Sequence, residues 1–507
     1  MTPLPNLARQ GGFPWLPAVL SLLVSAWLIA IDPVLDNDGV LYLVAAETFV
    51  AEGFQASVEI YQWPFLQVLI GTLHALTGLT TVTTGLLIVS LCYALLAVAF
   101  VHTVKEMGGG PLTQLLAALM VVFHAQLGAD RSAIARDTGM LAFMLLALVE
   151  LIRYGKTGHW RHAGQWTLCI SAAFLFRVEA LSIVLLSPLG LLLLGDTPLR
   201  VRAARLAKLL ALPCALLAVA ITAINLLSPD LLASLKVAED LGIFHRETLS
   251  FSQRLARMAD QLANSGLLRH TSVNDAAWGV VAVMVTLFTL NLVRALTLPY
   301  ALLLLHQWRG KLPLHLCPVS DRLIQVHLAI IFVYQLAFIF FYQFSLGRYS
   351  LQIAILLLLY LPFVLTRWWQ YAGRRSLARI LIVVLLCGYA VDTLVNSRYK
   401  KTYIAEAAEW LRDASLPDDI QVVSNEHHIA YVSGRVHRDD ILISRHSAEF
   451  DKLHTPWQPG TFYAYRTPRQ VDMDALRADI RRHGGEIHRE FEGGDRRNIV
   501  MFSLPAE

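Results

Sequence analysis

The chain has 507 residues, of which 56% are hydrophobic and only 16% charged, with a formal net charge of +4 and a mean hydropathy of +0.52. Soluble domains carry about 25% charged residues, so this composition excludes a soluble globular enzyme and predicts a polytopic α-helical membrane protein. The small positive excess says little about partners, because most Lys and Arg fall in the short loops that orient membrane helices. The cysteines Cys92, Cys169, Cys214, Cys317 and Cys387 lie in or beside apolar segments without CxxC spacing, which suggests neither a disulfide framework nor a zinc knuckle.

The first apolar run, Phe13 to Ile31, holds no charge and is long enough to span a bilayer. Arg9 ahead of it gives a superficial likeness to a signal peptide. The run is long for that role and no small-x-small cleavage site follows, so a retained first helix is predicted. The loop Asp32 to Trp63 then contains Asp32, Asp36, Asp38, Glu47, Glu52 and Glu59 but no Lys or Arg, which reads as non-cytoplasmic.

Residues 64–79 suggest an interfacial helix. Counting the first, eleven spans are expected, at 13–31, 80–104, 111–127, 138–152, 166–176, 180–195, 207–227, 277–304, 323–343, 350–366 and 379–396. With the N-terminus inside, the cytoplasmic loops collect Lys105; Arg153, Lys156 and Arg161; Arg200, Arg202, Arg205 and Lys208; Arg309, Lys311 and Arg322; and Arg367, Arg374, Arg375 and Arg379. A long outer loop, 228–276, has mixed charge, and long loops are weak topology signals.

From about Tyr399 the composition turns polar, so the chain divides into a transmembrane domain, 1–398, and a small extracytoplasmic α/β domain, 399–507. Helices are expected at Ala405–Leu411 and Met473–His483, and strands at Ile420–Ser424, Thr461–Tyr465 and Asn498–Ser503. No internal repeat, Walker loop or dinucleotide fingerprint occurs.

Ionisable groups at the edges of apolar helices are costly and are functional candidates by default. Asp36 and Asp38 lie just beyond the first span, where carboxylates can deprotonate an acceptor or hold a metal; a solvated loop is the alternative reading. Arg136-Asp137 opens the fourth span on the same side, where Asp137 either caps the helix or joins a site. Arg177-Val-Glu179 breaks the chain between two short spans, as a local charge pair or a substrate contact. Gly347-Arg348-Tyr349 presents a guanidinium that either snorkels to headgroups or grips a lipid phosphate. Four separated elements thus bring charge toward one membrane face, joining a carboxylate base to cations suited to a phosphate leaving group.

At these residues the chain resembles the GT-C superfamily of polytopic glycosyltransferases, and within it the bacterial branch related to protein O-mannosyltransferases and lipid A aminoarabinose transferases. The likeness rests on Asp38-Gly-Val-Leu-Tyr42-Leu-Val-Ala-Ala-Glu47, Arg136-Asp137-Thr-Gly-Met-Leu, Phe176-Arg177-Val-Glu179 and Gly347-Arg348-Tyr349. The tail adds Ala408-Glu-Trp-Leu-Arg-Asp413, Val422-Val-Ser-Asn425 and Ala430-Tyr-Val-Ser-Gly-Arg435. Tyr61-Gln-Trp-Pro64-Phe sits where relatives carry a Lys-Pro-Pro-Leu-like segment; the Lys is absent, so its role does not transfer.

The resemblance implies transfer of a sugar from a polyprenyl-phosphate donor to an extracytoplasmic lipid, protein or envelope glycan, with inversion. Asp38 would be the general base, with Asp36 as the neighbouring candidate. Asp137 would orient the acceptor or Asp38. Arg348 and Arg177 would meet the lipid phosphate, with Tyr42, Arg136, Glu179 and Tyr349 as further substrate-binding positions. Some relatives carry a divalent metal, and this sequence leaves metal use open. His427-His428 reads as a surface or structural pair, and His74 and His124 as lone residues near helix ends.

The expected partners are the bilayer, the lipid-linked sugar and the acceptor, with no nucleic acid, and the expected place is a bacterial inner membrane with the tail in the periplasm. The rival readings are a transporter or flippase for lipid-linked sugars, which would more naturally show inverted repeats, and a non-catalytic scaffold.

Overall fold

The computed structural model describes residues 15–195, 197–227, 251–265, 272–310, 314–342, 347–371, 377–395, 401–417, 420–437, 441, 457–469, 471–494 and 496–506. Expectations at Arg9, Lys311, Arg374, Arg375 and Tyr399, and for loop residues 228–250, lie outside these.

Helices dominate. In order they are α1 (Leu16–Ile31), α2 (Asn37–Glu52), α3 (Phe54–Ile60), α4 (Phe65–Thr77), α5 (Thr81–Glu106), α6 (Pro111–Val122), α7 (Ala125–Ala129), α8 (Arg136–Thr157), α9 (Trp160–Phe176), α10 (Ala180–Leu186) and α11 (Leu199–Leu227). Further helices cover Val273–Leu296, Leu298–Arg309, Pro318–Tyr342, Gly347–Leu358, Leu361–Tyr371 and Leu377–Val395.

Among the described residues seven helices are long and apolar enough to cross a bilayer, or eight if one bent pair counts as a single span. The expectation of eleven included shorter pieces. α1, with 16 residues, is about 24 Å long, less than the ~30 Å hydrocarbon core. Two expected spans are also not single straight helices. The run 277–304 is interrupted at Thr297, which has φ 68°, a left-handed conformation rare for a β-branched residue. Its hydroxyl meets that of Tyr389. The run 350–366 bends by 40° between Leu358 and Leu361, where Pro362 cannot continue the preceding hydrogen-bond ladder.

The chain packs as two compact units. The first comprises Met1–Ser21, Cys92–Leu127 and Arg136–Ala390. Its centre is α8, of whose membrane-length window 83% is buried, whereas only 6% of the corresponding window of α11 is buried. Such a helix has its backbone groups satisfied internally and its apolar faces turned to lipid. Gly139 explains how α8 meets the end of α9: a Cβ there would lie 2.4 Å from the Phe176 ring. At the other end of α8, Arg153 binds Glu106 at 2.9 Å and Glu150 at 2.8 Å, while Lys156 joins Glu106 at 2.8 Å.

The second unit comprises Leu22–Leu91, Gly128–Ala135 and Val391–Glu507. Here α2 and α4 cross closely at Gly71, where a Cβ would sit 2.9 Å from the Ala46 carbonyl oxygen. Gln67, fully buried, donates to the carbonyls of Tyr61 at 2.8 Å and Ser57 at 3.1 Å, tying the turn after α3 to α4.

The tail folds as a four-stranded sheet of β1 (Gln421–Ser424), β2 (Thr461–Arg466), β3 (Glu486–Glu492) and β4 (Asn498–Ser503), in the order β1-β2-β4-β3. β1 and β2 are parallel and the other pairs antiparallel. The helix Met473–Arg482 packs Leu476 and Ile480 against Tyr463, Tyr465, Val500 and Phe502 of the sheet. The expected strands and helices are present; β3 and the helix His427–Ser433 are additions.

Candidate active site

The predicted residues fall into two clusters, one in each unit. In the second unit, Asp36 is the N-cap of α2, with φ −78° and ψ 160°. Its carboxylate accepts the Gly39 N–H at 3.2 Å and the Ile134 N–H at 3.1 Å. Gly39 permits that approach, because a Cβ there would lie 2.6 Å from Asp36 Oδ1. Burial, then the negative charge of Asp38, pushes the Asp36 carboxyl up to about 6, and the backbone donors only partly oppose this.

Asp38 sits in the first turn of α2, half-buried, where the helix dipole favours an anion. Tyr42, one turn later, is 4% exposed and packs edge-on against Tyr61 at 5.0 Å. Arg131, five residues before Arg136, is buried and donates to the Ser25 hydroxyl at 2.8 Å.

In the first unit, Arg177 links α9 to α10 at the level of the α8 start. It is 5% exposed. Its guanidinium donates to Asp137 at 2.7 Å and forks onto both oxygens of Glu179, one of them at 3.1 Å. It also lies over the Tyr349 ring at 5.3 Å, which Arg348 approaches from 5.6 Å. Burial disfavours its charge, but Asp137 and Glu179 outweigh that and hold its pKa well above the usual value. Burial likewise lifts Glu179, yet the Arg177 charge, with a smaller contribution from Arg136, brings it below the ordinary carboxylate range.

The structure therefore brings Arg136, Asp137, Arg177, Glu179, Arg348 and Tyr349 into one cluster, and Asp36, Asp38 and Tyr42 into the other. Arg177 is compensated by two carboxylates of its own chain, the local charge pair that lets the chain turn between α9 and α10. A residue that sequence reasoning passed over also belongs near Asp36: the amide of Ile134, a main-chain donor with no side-chain signature.

No protein-family model and no curated protein matches the chain. Among solved structures it is similar to the archaeal oligosaccharyltransferase AglB from Archaeoglobus fulgidus in complex with an inhibitory peptide and a dolichol-phosphate. That match has 11% identity and a TM-score of 0.46, over 84% of this chain and 64% of that one. It is also similar to the crystal structure of the Archaeoglobus fulgidus oligosaccharyltransferase in complex with Zn and sulfate, at 12% identity and a TM-score of 0.49, over 83% of this chain and 61% of that one. The chain spans just under two thirds of the length of these structures.

Proposed function

We propose that the chain is a multi-pass membrane glycosyltransferase that moves a sugar from a polyprenyl-phosphate donor to an acceptor outside the cytoplasm, in a bacterial inner membrane with its tail in the periplasm. The observation that carries this reading is the carboxylate pair opening α2, with Asp36 tied to two backbone N–H groups and Asp38 on the first turn. The resemblance of the flanking residues to GT-C enzymes supports the same assignment.

Asp38 takes the proton of an acceptor hydroxyl, and the acceptor oxygen attacks the anomeric carbon. The bond from that carbon to the phosphate oxygen breaks as its electron pair leaves with the lipid phosphate, and the anomeric centre inverts. Positioned general bases contribute ~10²–10⁴-fold. Asp36 anchors the helix start. Arg348 meets the phosphate, and Asp137 and Glu179 hold Arg177 and the Tyr349 face in place.

Among the described residues no group of three His, Cys, Asp or Glu side chains is placed to hold a metal, and the Asp36 carboxylate already serves two N–H donors. No step of the proposed reaction is routed through a metal.

The test supplies purified protein in liposomes with acceptor and either a polyprenyl-phosphate sugar or a nucleotide sugar. Transfer is expected from the lipid-linked donor alone. Efficient transfer from a nucleotide sugar without lipid overturns the donor assignment, and movement of intact lipid-linked sugar across the bilayer without transfer identifies a flippase. A periplasmic-type reporter fused after Ala506 is expected to be active, and a cytoplasmic-type reporter silent.

A further inference from the structure

The tail places a seven-residue helix, His427–Ser433, in the same unit as α2. Two of its polar contacts fall at widely separated points of the acidic segment. His428, 3% exposed, accepts the Leu35 backbone N–H on Nδ1 at 2.9 Å, and Leu35 immediately precedes the N-cap Asp36. One turn further along the tail helix, the Tyr431 hydroxyl donates to Glu47 Oε1 at 2.5 Å. The Thr81 hydroxyl, at the start of α5, donates to the same oxygen at 2.7 Å.

Several features mark these contacts as built. A buried backbone N–H needs an acceptor, and the acceptor of Leu35 comes from a side chain 393 residues away. For Nδ1 to accept, the imidazole must be neutral with its proton on Nε2. Burial keeps it so, pushing the His428 pKa down to about 4 against the opposing charge of Glu426. At the far end, burial and then Glu47 raise the Tyr431 phenol, which keeps it a donor. The turn entering α2 is thus fixed twice over, at Leu35 by His428 and at Asp36 by the Gly39 and Ile134 amides.

We propose that the helix His427–Ser433 is a positioning clamp for the acidic helix: His428 places the Asp36–Asp38 turn through the Leu35 N–H, and Tyr431 fixes the far end of α2 through Glu47. The proposal rests on Asp38 being the base, since a displacement of about 1 Å at a reacting group costs on the order of 10²-fold in rate. His428 is a positioning residue, acting through the backbone that carries the base.

The experiment compares wild type, His428→Leu, His428→Asn and Tyr431→Phe as full-length protein in nanodiscs. It measures hydrogen exchange over residues 33–52 and steady-state transfer from a polyprenyl-phosphate sugar. Loss of the acceptor in His428→Leu is expected to speed exchange at the entry to α2 by about tenfold or more. It is expected to lower kcat by about 10- to 100-fold with KM for both substrates unchanged.

His428→Asn, whose side-chain oxygen can take the place of Nδ1, is expected to restore most of both. Tyr431→Phe is expected to loosen residues 44–52 and carries the comparison if His428→Leu does not fold. Unchanged exchange in the variants, or as much loosening in His428→Asn as in His428→Leu, overturns the clamp. A loosened α2 with wild-type kcat overturns its positioning role. If wild type transfers no sugar from any donor, the glycosyltransferase reading fails, while the exchange comparison still decides whether the clamp exists.

Discussion

Asp36 and Asp137 both stand where a loop becomes a helix, yet they are held by opposite means. Asp36 is fixed by neutral backbone N–H groups, and its burial, followed by the like charge of Asp38, raises its proton affinity. Asp137 is fixed by the Arg177 guanidinium, which also grips Glu179, so its charge is balanced inside the unit. The difference teaches how two helix starts hold a carboxylate: neutral backbone donors anchor Asp36 at the turn that carries Asp38, the proposed base, whereas a buried cation locks Asp137 in place as a strut.

The largest effect expected from this contrast is at Asp38. Asp38→Asn should leave membrane insertion normal and reduce transfer by ~10²–10⁴-fold, measured as kcat with purified protein. Near-normal turnover would break the contrast, and a greater loss in Asp36→Asn would move the base two residues upstream.

Arg177→Met probes the strut. Two half-buried carboxylates would lose their common cation, at a cost of about 3–5 kcal/mol for a broken buried pair, read as a large fall in melting temperature. Stability within error of wild type would mean that Arg177 is not structural. A milder version is Gly139→Ala, whose Cβ must displace the Phe176 ring. Overpacking of this kind costs about 1–3 kcal/mol, and unchanged melting would show that the α8–α9 contact is soft.

The smallest effects are expected at Asp36. Asp36→Ala removes the N-cap of α2, a loss of about 0.5–2 kcal/mol. The pH dependence has a definite sign. The folded-state pKa, about 6, lies above the ordinary 3.8, so the ionised form opposes folding. That opposition is full above pH 6 and fades as pH falls toward 4. Asp36→Asn, which keeps an oxygen for the cap, should flatten the melting temperature across that window; a wild-type slope in the variant would assign the titration to another group.

Much of the fold was legible because bilayer-length apolar runs admit few other readings. α5 and α8 lie close to their expected limits, and β1, β2 and β4 announced themselves through β-branched and aromatic residues. β3 did not, since Glu486–Glu492 is mostly charged and becomes a strand by pairing with β4, with a register shift between Ile487 and Arg489. Thr297 was illegible for another reason: its backbone conformation is set by tertiary packing, and no glycine or proline marks the position itself. In the candidate site, the charged side chains could be picked out by their cost in an apolar setting. Their partners could not, because the amide of Ile134 looks like any other amide in a sequence and the pairing of Arg177 with Asp137 spans 40 residues.

The bond between Leu35 and His428 also sets a timetable. The two residues are 393 positions apart, so a ribosome adding 5–20 residues per second takes about 20–80 s to supply the acceptor after the donor has emerged. During that interval the acidic segment is already outside its first helix while its partner is still unmade. Nascent chains halted before Val391 would carry nearly all the membrane helices and an unfinished second unit, the form in which quality-control proteases would find this protein most open.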